Sequence, residues 1–227
     1  MATLSRKFKD LRFRVFYGLL LSRAEVVTLG AGDSKCRWTI CPTGLNAGSV
    51  VYSGGVGSDI SFEHDLVRRF GCNVLLFDPS PTGLETMGRA ENQIPQFRFY
   101  PIALAGRNGR LRLAPPLDSR DASWFANPHV RDGLEVACRD LETLMRDHGH
   151  EHIDLLKLDI EGCEYEVVDQ ILKRRLAVRQ LCVEFHHRLV PGIRRSQTIG
   201  SVFRLLRAGY RLVNVTGNDH TFIRSGC

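Results

Sequence analysis

The 227-residue chain has no block of like charge, no low-complexity tract and no repeat at solenoid periods. Its net charge of +6 comes from scattered residues, which permits an anionic partner without demanding one. Seven cysteines (Cys36, Cys41, Cys72, Cys138, Cys163, Cys182, Cys227) form neither a Cys-x-x-Cys pair nor a Cys/His cluster. An odd, dispersed set argues against a disulfide framework or a structural zinc site, and for a reducing, cytoplasmic compartment. No apolar run reaches transmembrane length. The basic N-terminal stretch "SRKFKDLRFRVFYGLLLSRAE" lacks the small-residue cleavage pattern of a signal peptide. It reads as a helix packed on the domain, with Phe8, Leu11, Val15 and Leu19 near helical spacing. A membrane-surface helix is the lesser reading, kept open by Lys7, Lys9, Arg12 and Arg14.

What is present is an alternation of strand and helix patterns from about residue 49. "SVVYS" reads as a strand and Asp59 to Phe70 as a helix. "NVLLFD" is a buried strand, and "PSPTGLETMGRA" opens a helix with Thr82 and Glu85 at capping-box spacing. "FRFYPIALA" reads as one further strand. "GRLRLAPP" and "LEVACR" then interrupt the alternation as extra strands. Between them runs a long polar loop holding two exposed-looking aromatics, Trp124 and Phe125. The alternation resumes with helix Asp140 to His148, strand "IDLLKLD", helix Glu161 to Arg175, strand "LCVEFHH" and helix Ile199 to Ala208. A closing hairpin spans Tyr210 to Arg224. The pattern predicts an α/β fold with a doubly wound, mostly parallel sheet in three α/β/α layers and one antiparallel edge strand. We expect one domain over residues 49–227, preceded by a helical extension over residues 1–48.

In such a sheet the first strand-to-helix turn is the usual nucleotide seat. Gly54, Gly55 and Gly57 fit it, because glycine lets backbone approach a ligand. They do not complete G-x-G-x-x-G, since Ile60 stands at the third glycine position. Asp78 ends the next strand, 21 residues past Gly57, where a carboxylate can accept two hydrogen bonds from ribose hydroxyls. Asp59 sits where a dinucleotide's pyrophosphate would lie, and would repel it. No tyrosine has a lysine four residues on, so a Tyr-x-x-x-Lys pair is also missing. An acidic turn suits a cationic cofactor without phosphate: S-adenosyl-L-methionine carries a sulfonium and an amino group, and Asp59 can face either. The candidate cofactor contacts are Ser53, Gly54, Gly55, Gly57, Ser58, Asp59, Asp78 and Pro79.

Two later strands also end in polar groups. "LLKLDIEGCEYEVV" ends its strand with Asp159 and places Glu161 two residues on. "LCVEFHH" puts Glu184 and His186 on one face by alternation. If these strands are neighbours, four polar groups converge at the sheet's carboxyl edge. For Glu161 and Glu164, capping of the following helix is the competing explanation.

These segments carry a resemblance. "IDLLKLDIEGCEYEVV", "VYSGGVGSDISFE", "VLLFDPSPTGLE" and "CVEFHH" resemble the FkbM family of S-adenosylmethionine-dependent methyltransferases, from about Trp38 to the C-terminus. "KLDIEG-x-E" is the most specific mark, and "CRDLETLM" matches a further family segment. The resemblance implies the class I methyltransferase (Rossmann-like) fold, a seven-stranded sheet with one antiparallel strand. It also implies methylation of hydroxyl oxygens on sugars, lipids or polyketides. The first motif departs from the family's usual D-x-G-A-x-x-G, with Tyr52 or Ser53 near the position of the acid.

The expected reaction is in-line methyl transfer to a hydroxyl, which needs a base to take the proton. His186 and Glu184 are the candidate bases, with Asp159 orienting substrate or cofactor amine and Glu161 structural. A divalent metal held by Asp159, Glu161, Glu184 and His186 ranks second. The loop from Ser119 to Asn127 is a candidate lid, and Trp124 a candidate stacking surface for a sugar. Two rival classes are a nucleic-acid methyltransferase and a non-catalytic module. "DIEG" in place of an N-P-P-Y type segment weighs against the first, and the altered first motif motivates the second.

Overall fold

The computed structural model describes residues 16–31, 36–116, 123–187 and 192–224. In chain order these hold β1 (Val27–Leu29), β2 (Trp38–Ile40), β3 (Val50–Gly54), α1 (Ser61–Phe70), β4 (Asn73–Phe77), α2 (Pro81–Gly88) and β5 (Phe97–Tyr100). Then come β6 (Ala103–Ala105), β7 (Gly109–Ala114), β8 (Phe125–Ala126), β9 (Leu134–Asp140), α3 (Leu141–Asp147) and β10 (Ile153–Leu158). The chain continues through α4 (Glu164–Arg174), β11 (Val178–Glu184), α5 (Arg195–Arg207), β12 (Tyr210–Thr216) and β13 (Asp219–Arg224).

The central sheet has seven strands in the order β12-β13-β11-β10-β3-β4-β5. Strands β11, β10, β3, β4 and β5 pair in parallel. β10 is buried along its whole length, which is why its sequence is nearly continuous in apolar residues. The order runs outward in both directions from the β3–β10 pair, a switch point that opens a crevice at the carboxyl ends of both strands. The expected antiparallel strand is present, but it is β13, lying inside the rim between β11 and β12. The chain leaves α5 into the outermost strand, turns through Gly217 at φ 62°, and returns in the gap.

Several boundaries differ from those expected. "FRFYPIALA" is two strands in two sheets: β5 ends at Tyr100, Pro101 has no N–H to continue a ladder, and β6 pairs with β9 in a four-stranded sheet β6-β9-β7-β8. α2 is capped by Ser80, whose Oγ accepts from the Gly83 N–H at 3.0 Å, and not by Thr82, because Pro81 fixes the first helical position. α4 starts at Glu164 because Glu161 and Gly162 have φ of 49° and 113°. Trp124 is half-buried and Phe125 buried, and Phe125 belongs to β8.

Of the expected N-terminal helix, Phe8, Leu11 and Val15 lie outside the described residues. Residues 16–20 are helical, but Leu19 is 83% exposed. The inward contacts come from Tyr17, which joins the main core, with Phe16 and Leu20 packed against it. The rest of the expected helical extension includes the antiparallel pair β1–β2, with Leu29, Trp38 and Ile40 buried over the other face of the sheet.

His220 on β13 ties these parts together. It is buried, its Nε2 meets Tyr17 Oη at 3.0 Å and its Nδ1 lies 2.7 Å from the Asn218 carbonyl. Burial pushes its pKa down to about 4; the Asn218 carbonyl opposes this and the nearby His187 adds to it. The unfolded chain therefore binds a proton at higher pH than the native one. The stability this group contributes is complete above its unfolded value near 6.5 and is lost as pH falls toward 4. About 2–3 kcal/mol should disappear between pH 7 and 4.5 from this residue alone. Urea unfolding at both pH values should show a shallower acid loss in His220→Gln; equal slopes would remove the assignment.

Candidate active site

The glycine turn after β3 is held from below and from the side. Ser53 Oγ donates to Glu63 Oε1 at 2.6 Å, and both groups are fully buried. Glu63 Oε1 lies 3.5 Å from Lys157 Nζ, which donates to the Gly55 carbonyl at 2.6 Å. Burial opposes charge on Lys157, but the carboxylates of Glu63 and Asp159 outweigh it and hold the pKa above the usual lysine value. The ammonium also lies 5.6 Å from the centre of the Trp38 ring. Ser53 and Gly54 therefore do not line the cavity. Ser53 anchors Glu63, and Gly54 packs so closely that a Cβ would stand 2.9 Å from Ile160 Cγ2. Glu63 thus reaches from α1 to the end of β3.

Gly55 has φ 85°, and a Cβ there would lie 1.8 Å from the Asp159 carbonyl oxygen. Only glycine fits between the ends of β3 and β10. Asp78 fixes the turn from β4: Oδ2 accepts from the Val56 and Gly57 N–H groups at 2.9 and 3.1 Å, and Oδ1 from Ser80 N–H at 2.8 Å. A carboxylate has about four lone-pair sites. Three are taken, so Asp78 keeps room for one ribose hydrogen bond and not the two expected. Asp59 Oδ1 accepts from Ser61 N–H at 2.7 Å, which starts α1 two residues later than expected.

The turn opens on a cavity of about 630 Å³. Gly55, Gly57, Ser58, Asp59, Asp78 and Pro79 line one part, and Asp159, Glu161, Glu184 and His186 another. The two groups expected from separate strands thus share one chamber. β11 stops at Glu184, so His186 reaches the cavity from the residues just beyond the strand. Ser123 and Trp124 form part of the wall, Phe125 and Ala126 of the expected lid form β8, and residues 119–122 lie outside the described residues.

His186 is the hub. It is 4% exposed, and its Nδ1 stands 2.8 Å from Oε1 of the fully buried Glu164. Glu164 also accepts from the N–H groups of Ile160 and Gly162, so it holds both the turn and the imidazole and does more than cap α4. His186 Nε2 faces Glu161 Oε2 at 3.3 Å, Glu184 Oε1 at 3.6 Å and Asp159 Oδ1 at 3.9 Å. Burial works against a charged imidazole, but the hydrogen bond to Glu164 and the surrounding carboxylates outweigh it and push the pKa up to about 10. Its surroundings thus favour the protonated imidazole, which does not suit the base role expected of His186. Burial followed by the Asp159 charge pushes Glu184 up to about 8 and Asp219 to about 7. Burial likewise raises Asp159 and Glu161.

Sequence reasoning missed Glu63, Lys157 and Asp219. Lys157 had a signal: a lysine inside "LLKL" cannot be buried without a partner. Glu63 and Asp219 had none, since each sits in an ordinary polar position of its own element.

The cavity fits a cationic nucleoside better than a phosphate-bearing one. Its lining carboxylates outnumber its one lysine, Lys157, whose ammonium is already held by Glu63 and the Gly55 carbonyl, and Gly57 leaves open space where a side chain would project.

Comparison with known proteins places residues 45–212 on the model of the "Methyltransferase FkbM domain". The human "Probable methyltransferase-like protein 24" is 27% identical over 156 residues, 68% of this chain and 37% of that protein. The "2-O-methyltransferase NoeI" of Sinorhizobium fredii is 26% identical over 108 residues, 40% of this chain and 44% of that protein. The chain spans less than half the length of these curated relatives. Among solved structures, Aeropyrum pernix fibrillarin with natively bound S-adenosyl-L-methionine aligns at TM-score 0.43 and 10% identity, covering 88% of this chain and 99% of that one.

Proposed function

Because the chain belongs to the FkbM methyltransferase family, whose cofactor is S-adenosylmethionine, we propose that it methylates a hydroxyl oxygen of a sugar, lipid or other small molecule. The observation that carries this reading is the meeting of the Gly55–Asp59 turn and the Asp159–Glu161–Glu184–His186 cluster in one cavity. S-adenosylmethionine, when bound, supplies an electrophilic methyl group on a sulfonium. The turn and Asp78 orient the nucleoside, and the carboxylates favour positive charge beside them. Glu184 accepts the hydroxyl proton in its ionised form, which its pKa of about 8 makes the major form only above that pH, while a proton on His186, locked by Glu164, keeps the neighbouring carboxylates from all repelling one another. A relative named as a 2-O-methyltransferase supports oxygen as the acceptor atom. Trp124 forms an aromatic wall suited to a sugar face. In this reading residues 49–227 carry the catalytic unit and residues 1–48 extend it. Among the described residues no helix is long and apolar enough to cross a membrane.

The test is transfer of a radiolabelled methyl group from S-adenosylmethionine to a panel of saccharides, glycolipids and hydroxylated small molecules. Labelled ether product is expected, with the rate falling about 10²–10⁴-fold in Glu184→Gln. Label appearing only on RNA or DNA, with steep salt dependence, would overturn the acceptor class.

A further inference from the structure

We propose that Asp159, Glu184 and His186 form a binding site for a divalent cation of the Mn²⁺ type, with Glu161 as a fourth ligand. One donor atom from each of the first three lies within 4.8 Å of the others. Two donors each about 2.1 Å from one ion stand roughly 3.0–4.2 Å apart. The separations from His186 Nε2 to Glu161, Glu184 and Asp159 are 3.3, 3.6 and 3.9 Å. They are long for hydrogen bonds and right for donors sharing an ion.

Independent features point the same way. Glu164 takes the Nδ1 side of the His186 ring, which leaves Nε2 facing the cluster; an ion binding there displaces the Nε2 proton and takes the lone pair, as at carboxylate-backed metal histidines. His186 is 4% exposed, yet among the described residues nothing hydrogen-bonds to Nε2. Glu161 Oε2 is buried and has no hydrogen-bond partner among the described residues. Its backbone sits at φ 49°, a left-handed conformation that costs a non-glycine residue about 1–2 kcal/mol and turns its carboxylate toward the histidine. Buried carboxylates gathered on one imidazole need compensating positive charge, and a dication supplies it. Carboxylate oxygens with one imidazole favour Mn²⁺ or Fe²⁺ over the thiolate-rich sites of zinc and copper(I).

Any role of the ion at the acceptor hydroxyl rests on the methyl-transfer reading, but binding itself does not. The full chain, free of cofactor, is titrated with Mn²⁺ while the electron paramagnetic resonance signal of free Mn²⁺ is recorded. One equivalent should be bound, and Glu184→Gln and His186→Gln should each weaken binding at least about tenfold. Asp65→Asn, at a half-buried acid on α1 outside the cavity lining, should leave it unchanged. No bound Mn²⁺ in folded protein that still binds S-adenosylmethionine would overturn the site, as would binding that both cluster variants retain. Mn²⁺ binding without methyl transfer to any hydroxyl would keep the site and remove the proposed reaction. Should His186→Gln fail to fold, Glu184→Gln decides, because Glu184 lies at the cavity wall.

Discussion

Lys157→Met should destabilise the protein by about 3–5 kcal/mol, the usual result of removing one partner from a buried ion pair. Lys157 and Glu63 have side chains only 6% and 1% exposed, so the Glu63 carboxylate would be left without water or counter-charge. The Gly55 carbonyl would lose its 2.6 Å donor as well, loosening the turn that faces the cavity. Methionine matches the lysine stem, so packing is little changed. The double variant Lys157→Met/Glu63→Gln should recover part of the loss, because the stranded charge is gone and Ser53 keeps a partner. Equilibrium unfolding in urea of the two single variants and the pair measures this as a double-mutant cycle. A Lys157→Met protein as stable as the wild type would mean that the pair is solvated.

Asp78→Ala should weaken S-adenosylmethionine binding by about 100-fold. A hydrogen bond to a charged group is worth about 1.5–3 kcal/mol, or roughly 10- to 100-fold in affinity, and Asp78 keeps room for one to the ribose. The substitution also frees the Val56, Gly57 and Ser80 N–H groups, so the turn is no longer held in its binding geometry. Asp78→Asn should not rescue binding, because its amide would present N–H to N–H on one side of the turn. Calorimetric titration with S-adenosylmethionine, and NAD as the comparison, reads the effect. Affinity within threefold of wild type in Asp78→Ala would remove Asp78 from the cofactor site.

Much of the fold was legible because periodicity reports burial directly. The apolar run of "IDLLKL" is an inner parallel strand, and Val167, Val168 and Ile171 recur at helical spacing on a buried helix face. The glycines, Asp78, Asp159, Glu184 and His186 were also legible, since each stands where a strand ends. That placement follows from local pattern alone: in an open α/β sheet, strand ends line the crevice.

Only the tertiary structure decided how these residues divide their work. Ser53 and Gly54 look identical in kind to Gly55 along the chain, yet packing from α1 and β10 puts them beneath the turn. Glu161 and Glu164 both read as helix-start acids, but a left-handed backbone at Glu161 sends one to the cavity and buries the other behind His186. The pairing of Glu63 with Lys157 joins residues 94 positions apart, and no local pattern encodes it. Sequence by itself determined most of the central strands and helices and which of their ends carry polar groups, because propensity and hydrophobic period act over a few residues. Charge partners, hydrogen-bond direction and proton affinity depend on distances across strands distant in sequence, and those exist only once the sheet has assembled.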